Sequence, residues 1–426
     1  MLNHLFCGSS ESNSLAGAQI SALLISMQRV GTTSGAILAA FLPNLFGRKR
    51  SMQFTIVLNF VFLITLIFAN HPAMYAVCLA LCEACSGFII TVVSAYGIEV
   101  IGPKWRIYFG AVGTVAYSLG FILVTLLAMY LPDRQVLTTA MASIYALNLL
   151  YIYAIPESPI WALTTNRFKT ARVSISSLSS TLTEGGQSQV DQYIENLSRS
   201  FQRRSSSACD LPEHQNWRWK VANSSMGRLF KGKLIKKFTL LTLVMHTCVS
   251  VADVGSKYYV SKLPGNIYFN SCFTGLAELI GSLVTFPLVR RFGLKKTSMG
   301  LNLAAGCFML LAMGLLQLKS NAATIGVYMS FAAKVLNIGG WSTQVTYIAN
   351  LLPSDVRSSG IALVRIGSVC TLLAPLIITV KLDWLPLTVF GVLSLLSGGI
   401  QWFLPDLAGV PMFLFVEDQE RYFSKV

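Results

Sequence analysis

The sequence predicts an all-α membrane protein of two helical bundles, about eleven transmembrane helices in all, joined by a polar strap. Three observations predict it. Of the 426 residues, 54% are hydrophobic and 12% are charged, about half the charged fraction of a soluble chain. Apolar runs of about twenty residues, the helix length that crosses a bilayer, recur from Gln19 to Leu404. These runs lack the alternation of a barrel strand, so the backbone groups that lipid leaves unsatisfied are expected to pair within helices.

A polar segment, 1–18, comes first and has no signal-peptide core. The N-terminal bundle, 19–155, holds spans at about Gln19–Leu42, Gln53–Ala69, Met74–Ile101, Ile107–Leu131 and Val136–Ile155. Its turns alternate in charge. Arg48, Lys49 and Arg50 follow the first span and Lys104 and Arg106 the third, whereas Asn70-His71-Pro72 and Pro132-Asp133-Arg134 follow the second and fourth. Lys and Arg are retained on the cytoplasmic side, which places the basic turns inside and the N-terminus outside. The linker, 156–237, carries SISSLSSTLTEGG, FQRRSSS and GRLFKGKLIKK. Ser, Gly and charge with few large apolar residues predict a solvated, partly helical cytoplasmic strap. There, Ser205–Ser207 beside Arg203 and Arg204 form a phosphorylation candidate, and the sequons at Asn196 and Asn223 would stay unmodified. The C-terminal bundle, 238–404, has spans at about Phe238–Val260, Ile267–Val289, Ser298–Leu316, Ala322–Ala349, Gly360–Val380 and Leu385–Leu404. A cytoplasmic tail, 405–426, follows.

The net charge is +15. The cations sit in the strap and the short loops, where positive-inside bias accounts for them, so nucleic acid is not an expected partner. The nine cysteines lie mostly in apolar runs, and Cys82–Cys85 is a lone C-x-x-C inside a helix. Neither a metal site nor a disulfide framework is predicted, and no cofactor is expected. No phosphate-binding G-x-x-x-x-G-K-[ST] loop and no nucleophile–base constellation is visible, so the reading is neither an ATP-driven pump nor an enzyme.

The two halves repeat a unit. RRFGLKK separates two spans of the second half as FGRKR separates two of the first. An internally duplicated transporter shows such correspondence, although positive-inside bias alone also generates basic turns. Gly47 and Gly293 allow a tight connection at each. Close helix packing is expected at Gly31/Gly35, at Ala277/Gly281, and at Gly110, Gly113 and Gly120.

Arg29, Glu83, Asp253, Glu278, Lys334 and Arg365 fall inside membrane segments. Each ionised group costs about 2.5–3.5 kcal/mol there, so it needs a partner or a wet cavity. Pairing among themselves and lining a path are both open readings. Glu278 lies in mid-helix, and Lys257, one turn after Asp253, suits its neutralisation. Tyr258, Tyr259, Trp341 and Tyr347 lie near these charges in sequence, and aromatic faces attract organic cations, while aromatics also mark the membrane interface. The path candidates are Glu278, Lys334, Asp253, Arg365, Tyr259 and Trp341. The positive and negative members balance, favouring neither sign of substrate.

Several motifs resemble the major facilitator superfamily. They are Phe46-Gly47-Arg48-Lys49, Glu99 with Gly102-Pro103-Lys104-Trp105-Arg106, and Pro156-Glu157-Ser158-Pro159. Gly265-Asn266 with Tyr268, Asn270, Gly275 and Glu278, and Leu352-Pro353 with Arg357 and Gly360, are similar to its organic ion transporter branch (cation, anion and carnitine). The resemblance covers about Gln19 to Leu404. It implies the major facilitator fold, with two bundles rocking about a central site, and transport of a small organic cation, anion or zwitterion by alternating access. It also implies a multi-pass protein of the bilayer, with the plasma membrane its expected location, and makes Lys334 the counterpart of a family lysine. The chain starts where the family's second helix starts, so the first helix and the large outer loop are expected to be lacking. The resemblance makes Gly47, Arg48, Glu99, Arg106, Glu157 and Arg357 the cytoplasmic gate candidates, the five charged ones matching members of the family's ion-pair latch. Asn44 stands where the family carries Asp, and Asn350 where it carries Glu, so a weaker latch is expected. Two rival readings remain at this stage: a transport-incompetent short form that associates with and regulates a full-length transporter, and a sugar-porter-like carrier.

Overall fold

The computed structural model describes residues 15–165, 167–178, 192, 195–196, 199, 225–259, 266–318, 321–380, 382, 384–410 and 412–424. The first fourteen residues, the sequon at Asn223, Ser205–Ser207, Cys7, Cys209 and Gly265 lie outside the described residues.

The first half packs α1 (Leu15–Ala39), α2 (Arg48–Ile67), α3 (Pro72–Val100), α4 (Phe109–Tyr130) and α5 (Arg134–Ala146), the last extended through a 3₁₀ turn, Leu147–Leu150, into Tyr151–Ala154. The second half packs α6 (Lys233–Tyr259), α7 (Ile267–Leu316), α8 (Asn321–Leu351), α9 (Arg357–Gly367, extended to Thr379) and α10 (Leu385–Gln401). A last helix, α11 (Val416–Phe423), closes the chain. Six of these helices are each long and apolar enough to cross a membrane. The 25-residue α1 and the 31-residue α8 have the length as well.

At 50 residues, α7 would run about 75 Å if straight. It instead folds back on itself at Gly293, where φ is 78° and ψ 171°, a region that L side chains avoid. Thr297 Oγ1 donates to Leu288 O at 3.1 Å across nine residues, which a straight helix forbids. Two antiparallel arms result, so the rods among the described residues number eleven, five in the first half and six in the second. Gly47 adopts nearly the same backbone, φ 103° and ψ 162°. The two glycines in corresponding basic turns therefore make corresponding bends, as a duplicated unit requires.

Polarity is arranged inside out. Ser51, Thr55 and Asn59 of α2 are buried, while Phe54, Val57, Val61 and Ile64, at helical spacing, are exposed. In water that face would be unstable; against lipid tails it costs nothing, and packing between helices rests on close contact and polar pairing instead. A side chain at Gly31 or Gly35 would strike the α3 backbone at Ala80 or Ala84, one at Gly281 the α8 backbone at Val335, and one at Gly110 that at Ser342. Gly113 and Gly120 face open space, so the packing role expected for them is corrected.

The tail is docked rather than loose. Glu420 of α11 accepts the Leu234 N–H at 3.2 Å, satisfying a helix N-terminus with a carboxylate that its dipole favours. Gln419 donates to Leu351 O at 2.7 Å, and Phe423 packs edge-on against Phe238. Beside it, Asp355 takes a 2.8 Å salt bridge from Arg228. Burial nonetheless pushes the Asp355 carboxyl up to about 6, helped by Glu417 and opposed by Arg228. Because the folded state then holds this proton more tightly than the unfolded chain, stability falls as pH rises from about 4 to about 6 and levels off above. Thermal unfolding in detergent across that range is expected to show this slope in the wild type and to lose it in Asp355→Asn; an unchanged slope in the variant would assign it to other groups.

Candidate functional site

Two charged clusters stand out, one at the basic end of the bundles and one deeper in the second half. The basic-end cluster is built on the turn before α2. Glu157 Oε1 accepts the backbone N–H groups of Arg48 at 2.9 Å and Lys49 at 3.1 Å, capping α2 with a carboxylate. A side chain at Gly47 would collide with that carboxylate and with Trp161, which is the second reason for glycine there. Ser158 caps the short helix Pro159–Thr164 by accepting the Trp161 N–H and donates to Glu99 Oε2 at 2.6 Å, and Pro159 takes the first-turn position, where no N–H is needed. Glu157 and Ser158 of the Pro156–Pro159 motif thus cap helices, Ser158 also holds Glu99, and Pro156 O accepts the Tyr96 hydroxyl at 2.9 Å.

Glu99 is the hub. Its Oε1 lies 3.4 Å from Arg48 Nη2 and 3.6 Å from Arg357 Nη1, so one carboxylate of the first half serves an arginine from each half. Both guanidiniums are almost wholly buried. Asn44, in place of the family's acid, still accepts from Arg48 at 2.8 Å and donates to Ser359 of α9 at 3.1 Å, keeping the geometry without the charge. Ser359 in turn donates to Ala40 O. Two expectations are corrected here. Glu157 acts through backbone capping rather than an ion pair, because its carboxylate is pinned against a helix N-terminus. Arg106 turns its Nε back onto Ile101 O at 2.8 Å and contributes no salt bridge among the described residues.

The deeper cluster is a ring of four charges. Lys334 Nζ lies 2.6 Å from Asp253 Oδ1 and 3.3 Å from Glu278 Oε1, and Lys257 Nζ lies 3.2 Å from Asp253 Oδ2 and 3.1 Å from Glu278 Oε1. Two ammonium groups and two carboxylates alternate, so the ring is neutral and each member offsets the burial of its neighbours. α6 contributes Asp253 and Lys257 one turn apart, the first arm of α7 contributes Glu278, and α8 contributes Lys334. Lys334 also donates to Asp253 O and Ser256 Oγ. A small cavity with Lys334, Ser256, Tyr259, Thr274 and Phe331 in its wall opens beside the ring.

The path candidates therefore divide. Asp253, Glu278, Lys334 and Tyr259 come together. Arg365 lies apart, its Nη2 reaching Ser94 of α3 at 3.5 Å, and Trp341 packs near His246, with ring centroids 6.2 Å apart. Tyr347 is fully buried and donates to Pro405 O, a structural bond that removes it from the aromatic set. Lys257 was read as a neutraliser of Asp253 and proves to be a full member of the ring. Tyr117 was not foreseen. Its ring centroid lies 4.7 Å from Lys257 Nζ and its hydroxyl 3.4 Å away, and it stands on α4, in the other half. A second crossing contact joins Arg29 Nη2 to the Tyr258 hydroxyl at 3.4 Å. Nothing local in the sequence ties Tyr117 to Lys257, 140 residues away.

The chain matches the sugar (and other) transporter family over residues 1–415. Among curated proteins it is 24% identical over 419 residues to an organic cation transporter 1 of Caenorhabditis elegans, an alignment covering 93% of this chain and 66% of that one. It is 26% identical over 338 residues to solute carrier family 22 member 3 of Rattus norvegicus (76% and 55% covered), and 25% identical over 407 residues to the human organic cation/carnitine transporter 2 (92% and 67%). The chain thus spans between about half and two thirds of the length of these relatives. Among solved structures, the sugar-bound proton:xylose symporter XylE, a major facilitator superfamily protein, superposes with a TM-score of 0.76 at 15% identity, covering 99% of this chain and 93% of that one. The human organic anion transporter MFSD10 gives a TM-score of 0.61 at 14% identity, covering 90% of this chain and 84% of that one. With the duplicated bend, the inside-out polarity and the two buried charge clusters, these likenesses lead to one conclusion: the chain belongs to the sugar (and other) transporter family and has the major facilitator fold.

Proposed function

We propose that the protein is a membrane carrier that moves a small organic ion by alternating access, with the charged ring of α6, α7 and α8 at its substrate site and the Glu99 cluster as its latch. The observation that carries this reading is the ring itself. Four ionised groups buried in a bundle that lipid surrounds are costly unless they serve a path or a partner, and this ring touches the opposite half through Tyr117. The contacts between halves that the charged groups make are polar and involve few atoms, so each can break and re-form. In the proposed cycle, parting of Glu99 from Arg357 opens the basic end, and parting of Lys257 from Tyr117 and of Arg29 from Tyr258 opens the other. Positive-inside bias puts the basic end, the strap and α11 in the cytosol. The organic cation and carnitine transporters among its relatives point to organic ions, and the plasma membrane is the proposed location.

Uptake of labelled organic cations and anions by cells displaying the protein at their surface tests this. The wild type is expected to exceed vector-only cells, and Glu278→Gln to fall to their level. Uptake equal to vector despite surface display would favour a form that regulates another transporter, and suppression by hexoses would favour a sugar carrier.

A further inference from the structure

We propose that Lys257 is a tethered cation that occupies an ammonium subsite of the ring and competes with a charged substrate for it, so that this side chain sets the charge preference of the site. The inference rests on reading the ring as the substrate site. The surroundings of Lys257 Nζ are those that recognise any ammonium: a carboxylate oxygen at 3.1 Å from Glu278, another at 3.2 Å from Asp253, and the face of Tyr117 at 4.7 Å. The two lysines of the ring are not equivalent. Lys334 is 4% exposed and is also held by a backbone carbonyl and a serine hydroxyl, whereas the Lys257 side chain is 20% exposed. It sits on a flexible four-carbon stem, beside a tyrosine that is itself half exposed. Lys257 is therefore the ammonium that can leave.

What replaces it must be positive. With Lys257 withdrawn, two carboxylates face one ammonium, and the ring carries one uncompensated negative charge in a low-dielectric interior. An incoming ammonium restores neutrality, while an anion would add to the imbalance. Glu278 Oε2 is buried and has no hydrogen-bond partner among the described residues, so an acceptor stands ready for an N–H of a protonated amine. Because Tyr117 belongs to the other half, displacement of Lys257 also releases a contact between the halves, which couples occupancy of the subsite to their movement.

The test measures binding of benzylammonium and of its anionic isostere benzoate to the full-length chain in detergent. Lys257→Gln is expected to bind benzylammonium about tenfold more tightly than wild type, as removal of a competing charge from a desolvated pair implies, with no gain for benzoate. Lys257→Arg, which keeps the charge, is expected to match the wild type. Equal or weaker benzylammonium binding by the Gln variant, the same gain for benzoate, or no binding to either protein while both remain folded would overturn the proposal. Should Lys257→Gln fail to fold, Tyr117→Leu removes the aromatic face and the hydroxyl of the subsite and is expected to weaken benzylammonium binding several-fold; an unchanged affinity there would overturn it equally. Uptake separates this from the carrier reading: tighter binding in Lys257→Gln with no wild-type uptake of any ion leaves the subsite standing and removes the transport function.

Discussion

Glu99→Gln is expected to destabilise the protein by about 3–5 kcal/mol, the cost of leaving buried charge without its partner. The side chain keeps its size and its contact with Ser158, so the loss is one of charge alone. Arg48 and Arg357 would then face each other across a neutral amide, both of them buried, and the guanidinium nitrogens Nη1 and Nη2 of Arg357 make no hydrogen bond among the described residues even with Glu99 present. Repulsion is relieved by parting the halves at the basic end. Thermal unfolding in detergent should show a large drop, and a cysteine placed near Ser359 should become more reactive to a polar thiol reagent. A variant as stable as the wild type and no more reactive would remove Glu99 from the latch. Arg48→Met, made together with Glu99→Gln, deletes one of the two stranded cations and should recover part of the loss.

The second large effect is expected at Lys334. Lys334→Met leaves Asp253 and Glu278 with Lys257 as their one ammonium, and loses the 2.6 Å contact, the shortest of the ring. A cost of about 3–5 kcal/mol is again expected. Asp253→Asn in the same chain restores neutrality, so the double variant should regain most of the stability while still lacking the intact ring. The coupling between the two substitutions, measured as a double-mutant cycle on unfolding, should therefore be large and favourable. Stability and transport should part company in the double variant: folded, displayed at the surface, and inactive in uptake. Recovery of uptake along with stability would assign the ring a purely structural role, and additivity of the two single effects would show that the pair does not interact.

Much of this architecture was legible from local pattern. The spans and the duplicated basic turns follow from hydropathy and charge, because lipid forces each segment to satisfy its own backbone. Gly47 and Gly293 could be read as bends, and the structure gives both of them left-handed φ. Asp253 and Lys257 could be paired from their spacing on one helix face. Glu157 is expected among ion-pairing residues and instead caps a helix, since capping of a helix N-terminus by a residue 109 positions away leaves no sequence signal. Gly113 and Gly120 misled in the opposite way: small residues at helical spacing do not reveal which face meets a neighbour.

The sequence by itself determined that this is a two-bundle membrane protein carrying ionisable groups it could not leave unaccompanied. Apart from the Asp253–Lys257 pair one turn apart, which groups accompany which was decided by tertiary structure. Glu99 serves arginines from both halves, Lys334 joins Asp253 and Glu278, and Lys257 reaches Tyr117 across the divide, none of these partners being near neighbours in the chain apart from Asp253 and Lys257. The reason is physical: the bilayer's penalty acts on each residue where it stands and is therefore written locally, whereas an ion pair depends on a separation of a few ångströms that exists only once helices from distant parts of the chain have packed.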